Sequence, residues 1–394
     1  MAEPPRPELP PEPTGQLVVA GIVAAIVAWG GAFAVVLAGL TAVGASDAEA
    51  ASGLLALSIG MGVLTVWLAA RERMPVTIAW STPGAALLVS AGAAEGGWPA
   101  AVGAFAVTGA LLALAGLWRP LGRLIAAIPG PLANAMLAGV LLSVCLAPVR
   151  FAADAPLAAA PIVLTWAVLL RLSRRWAIPG ALVAAAVVVA VDPSGRDSGI
   201  GLLPEPVLTA PVFEPAALVG LALPLFIVTM ASQNVTGMTV LATYGYRPRL
   251  PAVLAGTGAA TVAAAPFGAH ALNLAAISAA LTAGPDGGRD PARRWVAASA
   301  AGVTYVALGL GAGLITAFAA AAPPLLIEAV AGLALLGALG GALAAAATSA
   351  PHRDAAVVTL VVSASGVAPL GVSAPFWGLV AGLALLAAQH RRSA

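Results

Sequence analysis

Thr229-Met-Ala-Ser-Gln-Asn-Val-Thr-Gly-Met-Thr239 stands at the centre of an apolar stretch running from Ala216 to Tyr246. An amide side chain buried without partners costs a few kcal/mol. Gln233 and Asn234 in the middle of a membrane-spanning length therefore point to a polar cavity that a ligand enters, which makes this segment the leading candidate for a substrate site.

The rest of the chain has the composition of a polytopic membrane protein. Of 394 residues, 61% are hydrophobic and 9% are charged, where soluble domains carry roughly 25% charged residues. Apolar runs repeatedly reach the ~20 residues that span a bilayer. Residues 1–15, MAEPPRPELPPEPTG, are proline-rich without an apolar run. They read as a disordered tail and not as a cleaved signal. The single cysteine, Cys145, excludes an intrachain disulfide.

Spans are expected near 17–43, 51–70, 76–92, 99–118, 129–147, 157–171, 177–191, 216–245, 250–265, 267–284, 295–319, 323–347, 355–369 and 373–389, about fourteen in all. With both termini cytoplasmic, sixteen of the eighteen basic residues fall inside and only Arg150 and Arg196 outside. That asymmetry is the positive-inside pattern. Every basic side chain is an arginine, and none falls at mid-membrane.

Internal repetition fixes the architecture further. Pro131-Leu132 with Ala138-Gly139 recurs as Pro324-Leu325 with Ala331-Gly332, and Leu40 and Gly44 recur as Leu241 and Gly245. Spans three and ten both open with an interrupted piece, Ser81-Thr-Pro-Gly-Ala-Ala86 in one and Ala265-Pro-Phe-Gly-Ala-His270 in the other. Seven spans separate each pair, so the second copy is inverted. The fold expected is an all-α membrane protein with a 7+7 inverted repeat, in which spans 3 and 10 are each a short extended piece followed by a half-helix. Paired broken segments of this kind point to a secondary transporter with its site near the midplane.

In span three, Val76–Trp80 is β-prone, Ser81 or Thr82 can cap a helix, and Pro83 suits its first turn. Span ten repeats the device from the opposite face, with Pro266 and Gly268 placed before Ala269-His-Ala-Leu-Asn-Leu-Ala275. Two helix N-termini facing each other offer unpaired N–H groups and positive dipole ends. Such a site favours an anion.

The stretch Thr229-MASQN-Val-Thr-Gly-Met-Thr-Val-Leu-Ala-Thr-Tyr-Gly-Tyr-Arg-Pro248 resembles the signature of bacterial benzoate:proton symporters. Ala79-WSTPGAALL-Val89 agrees, as do Pro266-Phe-Gly-Ala-His-Ala-Leu-Asn-Leu-Ala-Ala-Ile277, Gly284-Pro-Asp286 and Asp290-Pro-Ala-Arg-Arg-Trp295. In place of the family's leucine-proline after the amide pair, this chain has Val235-Thr236. The resemblance implies a fold shared with uracil transporters and sulfate-type anion carriers. It implies a core domain of residues 16–120 (spans 1–4) and 216–320 (spans 8–11), and a gate of residues 121–192 (spans 5–7) and 321–394 (spans 12–14). An outer loop, 193–215, joins the halves.

At 100° per residue, Gln233 shares a helix face with Thr229, Thr236, Gly237 and Val240, while Asn234 lies ~100° further round. Gln233 is expected on the ligand carboxylate, with Gly237 leaving room for a flat ring; the competing reading is an amide bond that glues spans. His270 is the one histidine placed deep. It either takes the proton that couples uptake or bonds, neutral, to a backbone carbonyl left free by the broken helix. Asn273 is read as sharing its face. Ser81, Thr82, Gly84 and Gly268 frame the half-sites, and Trp80, Phe267 and Phe226 are candidates for an aromatic slot. Glu328, the one carboxylate placed inside a span, is a second candidate for the proton path or else a hydrated rim residue.

The function these readings favour is import of benzoate or a related small aromatic carboxylate with a proton, a rigid core sliding elevator-like against the gate. The alternative is a transporter of the same fold for another small anion or a nucleobase. An enzyme is disfavoured, because no His-Glu-x-x-His, Gly-x-Ser-x-Gly or paired intramembrane carboxylates occur. The expected partners are the aromatic carboxylate, the proton and the lipid bilayer, with a homodimer compatible with the pattern. No cofactor, metal or nucleic acid is expected. The expected location is the bacterial inner membrane.

Overall fold

The computed structural model describes residues 12–118, 120, 128–191, 201, 203–323 and 325–393. Arg6, Arg119, Arg123, Arg196, Pro324, most of the proline-rich tail and part of the 193–215 loop lie outside the described residues. Helix α1 (Thr14–Gly30) begins inside the expected tail. Its entry is fastened there, because Arg289 N donates to Glu12 Oε2 and Arg293 reaches Glu12 O and Thr14 Oγ1.

After α1 come α2 (Phe33–Ala42), α3 (Asp47–Glu72), the strand β1 (Ile78–Trp80), α4 (Thr82–Ala91) and α5 (Gly97–Leu117). Next are α6 (Gly130–Cys145), α7 (Ala147–Asp154), α8 (Pro156–Leu172) and α9 (Ala177–Val191). The second half begins with α10 (Pro215–Thr243), a helix with two π turns, and continues with α11 (Leu250–Ala264), β2 (Leu272–Leu274) and α12 (Ile277–Ala283). It ends with α13 (Arg294–Gly309), α14 (Ala312–Ala321), α15 (Leu326–Ala346), α16 (Arg353–Ala364) and α17 (Ala374–Ser393).

Among the described residues seven helices are long and apolar enough to cross a membrane, or eight if the pair through α13 and α14, bent by 54°, counts as one. The other segments read as spans contain shorter helices. The protein is a mostly helical, multi-span membrane protein.

The helices pack in two groups. In one, α5 lies against α11, and α13 against both α1 and α3. In the other, α6 packs on α15 and α16, α16 on α17, and α8 on α9. The groups meet where α2 packs on α15 and α4 on α6. Nearly all side-chain hydrogen bonds between described residues stay within one group; Ser373 Oγ, which donates to Gly220 O, joins the two.

Positions matched in the sequence share backbone detail. Gly44 and Gly245, matched in the sequence, both follow a helix with positive φ, +109° and +88°. β1 and β2 pair antiparallel, with Ile78 opposite Leu274, Ala79 opposite Asn273 and Trp80 opposite Leu272. Each strand leads into a short helix, α4 and α12. A two-stranded ribbon serves here because backbone polar groups removed from water must find protein partners.

The extended segment from Glu205 to Phe213 forms a strap over one face. Val207 N donates to Ser52 Oγ, Thr209 N to Pro266 O, Val212 N to Pro99 O, and Trp98 Nε1 to Thr209 Oγ1. The sequence reading puts this face outside. It fastens α3, α5 and the end of α11 to one another.

Candidate functional site

Ser81 is the hub of the central region. Its N–H donates to Ala271 O, its Oγ accepts from Gly84 N at 3.1 Å and from Thr229 Oγ1 at 2.8 Å, and its carbonyl accepts from His270 Nε2 at 3.0 Å. The serine is the N-cap of α4, and Pro83 in the first turn lacks an N–H that would need a partner. Ser81, Thr229 and His270 are fully buried, while Thr82 is half-buried beside them.

Because a carbonyl only accepts, His270 Nε2 carries the hydrogen and Nδ1 is left as an acceptor. Nδ1 is buried and has no partner among the described residues. The ring meets Phe105 edge-on at 6.3 Å, and Phe105 in turn meets Trp98 at 5.9 Å.

The second half differs from the sequence expectation in its geometry. The break suggested by Pro266 and Gly268 does occur there as a turn, with Gly268 at φ +94°. The chain then stays extended through His270 and β2, and the helix begins only at Ile277. In an extended chain, residues three apart lie on opposite faces, so Asn273 does not share a face with His270. Its Nδ2 donates to Leu274 O instead, and its Oδ1 is buried without a partner among the described residues.

Met230–Asn234 forms a π turn, which the regular 100° wheel does not represent. Gln233, Asn234 and Gly237 are buried, whereas Thr236 is exposed and so leaves the face assigned to it. Asn234 Oδ1 accepts from Leu274 N at 2.9 Å, which fixes α10 to the edge of β2. The neighbouring amide is different: the Gln233 side chain has no hydrogen-bond partner among the described residues. A Cβ on Gly237 would come within 2.7 Å of Ala275 O. Close packing of α10 on the end of β2 requires that glycine. π turns inside α-helices are frequent at functional sites.

The ribbon edges show how the site is held. Ile78 N donates to Thr65 Oγ1, Leu272 N to Thr261 Oγ1 and Leu274 N to Asn234 Oδ1, each at 2.9 Å. Trp80 N–H, at the remaining outward position, has no such cap among the described residues. The repeat offset places Phe33 where the second half has Asn234.

The three aromatic candidates are not brought together. Trp80 packs against Trp29, with centroids 5.8 Å apart, and Trp29 stacks on Phe33 at 5.1 Å while its Nε1 donates to Ser58. Phe226 is buried in α10, and Phe267 stands at the strap, its carbonyl accepting from Ser52. Trp29, Phe33, Thr65 and Thr261 were not singled out by sequence. A tryptophan and a phenylalanine four apart in an apolar run give no signal beyond packing.

Two clefts open between the helix groups on the strap side. One, of about 580 Å³, is walled by Leu37, Thr41 and Thr316 from one group and by Glu328 from the other. Glu328 is in the first turn of α15 and half-buried. The second, about 390 Å³, is lined by Ala91, Gly220 and Ser373. Neither is lined by Ser81, Gln233 or His270. Arg294, read as setting topology, is buried and also donates to Gly288 O and Ala283 O, completing the end of α12. Among the described residues no three His, Cys, Asp or Glu come together as metal ligands.

Residues 13–388 match the family model described as benzoate membrane transport protein. The chain belongs to this family. It is 36% identical over 373 residues to the inner membrane protein YdcO of Escherichia coli (strain K12), covering 94% of each chain. It is 30% identical over 374 residues to the benzoate membrane transport protein of Acinetobacter baylyi, covering 93% of each. Both are membrane proteins by name, and membership of a transport family agrees with the lack of enzyme motifs.

The family fold has solved counterparts. The transmembrane domain of the cyanobacterial bicarbonate transporter BicA aligns over 94% of this chain and 97% of its own, with TM-score 0.55 and 15% identity. Murine Slc26a9, an anion transporter in the inward-facing state, aligns over 95% of this chain and 68% of its own, with TM-score 0.60 and 14% identity. At these identities the likeness concerns the fold.

Proposed function

We propose that this chain imports benzoate or a related small aromatic carboxylate together with a proton. The observation that carries the reading is the start of α4 at Ser81 in the interior, bonded to Thr229, which stands one turn before the buried Gln233 on α10. A buried helix N-terminus attracts an anion through its N–H groups and dipole. The N–H of Trp80 and the partnerless amide of Gln233 add donors, and no arginine competes for the ligand there.

His270 is the proton site in this reading. Its Nε2–H on Ser81 O holds one tautomer, so Nδ1 is the nitrogen free to take a proton. One carboxylate and one proton give an electroneutral cycle. The group containing α1–α5 and α10–α14 is the core, and it slides against α6–α9 and α15–α17. Fourteen segments, with α4 and α12 as half-helices in two of them, form the inverted repeat.

Uptake of radiolabelled benzoate into proteoliposomes under an inward proton gradient tests the proposal, with uracil and sulfate as competitors. Accumulation that benzoate alone competes for is expected. No gradient-driven accumulation, or accumulation displaced by uracil or sulfate, overturns it.

A further inference from the structure

We propose that Thr65 and Thr261 are matched positioning residues, one in each half of the repeat, that set the two strands of the central ribbon in register with the site. The inference rests on the proposed transport reading for its functional part and on hydrogen-bond geometry for the rest.

Both threonines are fully buried and stand on the helix that precedes their strand, Thr65 on α3 before β1 and Thr261 on α11 before β2. Each accepts the N–H of the first strand residue, Ile78 or Leu272, at 2.9 Å. Most buried threonines here do something else. Thr257, Thr316 and Thr359 turn their hydroxyls back on the carbonyl four residues earlier in their own helix. Thr261 makes that bond to Thr257 O as well, so its hydrogen is spent inside α11 and its lone pair faces β2. Thr65 directs its hydroxyl at Ile78 on both sides, accepting from N and lying 3.4 Å from O.

A two-stranded ribbon has outward N–H groups that no further strand can meet, and a buried unpaired N–H is costly. The hydroxyls supply the missing acceptors. They also fix where each strand stops along its neighbouring helix. Only Ser81 separates Trp80 at the end of β1 from Thr82 at the start of α4, so a shift of β1 passes directly to the α4 N-terminus. Neither threonine needs to touch the ligand. Valine in place of threonine keeps the shape and removes the acceptor, while serine keeps the acceptor.

The test is kinetic and structural together, on the full chain in proteoliposomes. Thr65→Val and Thr261→Val are each expected to raise KM for benzoate roughly tenfold, the order of an unsatisfied buried N–H, with Vmax within about twofold. Thr65→Ser and Thr261→Ser are expected to restore the wild-type KM. Hydrogen exchange followed by mass spectrometry should quicken in peptides covering residues 76–81 for Thr65→Val and residues 270–275 for Thr261→Val, each in its own half. Should a valine variant not be recovered from membranes, alanine at the same position takes its place. Unchanged KM in both variants, or a loss that falls on Vmax and is not restored by serine, overturns the positioning role. If the wild-type protein does not take up benzoate, the transport reading fails by itself. The exchange data then still decide whether the threonines hold the strands: unchanged exchange overturns the proposal.

Discussion

His270 Nε2 lies 3.0 Å from the carbonyl oxygen of Ser81, 189 positions earlier in the chain. One ring thus ties the two halves together and presents a single free nitrogen. The structural and proton-carrying roles separate by substitution. Glutamine retains an N–H donor for Ser81 O but does not titrate; alanine loses both. His270→Gln is expected to fold and to exchange benzoate across the membrane at equilibrium, while losing accumulation driven by a proton gradient. His270→Ala is expected to lose thermal stability as well. Gradient-driven accumulation by the glutamine variant at the wild-type level would remove histidine from the proton path.

Adjacent amides at 233 and 234 should respond in opposite ways. Asn234→Leu strips the acceptor from Leu274 N, a buried bond, and is expected to cost about 1–3 kcal/mol of stability. A lower unfolding midpoint in detergent is the measurement. Gln233→Leu breaks no bond to the described residues. It is expected to leave the midpoint within a few degrees and to weaken benzoate binding, measured by the ligand's thermal protection.

Gly237→Ala is expected to destabilise the protein, because its Cβ would press on Ala275 O and move α10 away from β2. Yield and unfolding midpoint should fall for any substrate offered. A variant of normal stability with altered preference among ring-substituted benzoates would instead return this glycine to the binding slot.

Glu328 borders the strap-side cleft, in the first turn of α15. Glu328→Gln is therefore expected to keep proton-driven uptake within about twofold of wild type. Loss of coupling with exchange preserved would place the proton there.

Ser373 and Gly220 join the two helix groups on the strap side. If the core slides, this bond breaks in each cycle. Ser373→Ala is expected to lower access to cysteines introduced along the strap-side clefts, since the bond holds the present arrangement. Labelling equal to that of the serine protein would show that the contact does not bias the equilibrium.

The sequence disclosed the class, the matched helix-ending glycines and the break at Ser81, because each has a local cause: apolar length, glycine at a helix end, or a capping residue before proline. Span ten was harder. Pro266 and Gly268 are strong local breakers, but β2 at Leu272–Leu274 is decided by pairing with β1, which no local pattern reveals. The same limit applied to Asn234. Its energetic oddity was legible, yet the donor that satisfies it lies on Leu274, and the π turn that aims it has no residue signature. Thr65 and Thr261 have the local pattern of ordinary helix threonines, and only their distant partners, Ile78 N and Leu272 N, set them apart.

The pairing of β1 with β2 also has a consequence for biogenesis. The first strand leaves the ribosome long before its partner exists, so its inward-facing N–H and C=O groups must wait through the synthesis of the intervening helices. Membrane interior offers few substitutes. The amino-terminal half cannot therefore reach its final form as it is made. Early helices would have to remain loosely packed, or keep water or another chain against Ile78–Trp80, until the carboxyl-terminal half arrives to close the ribbon.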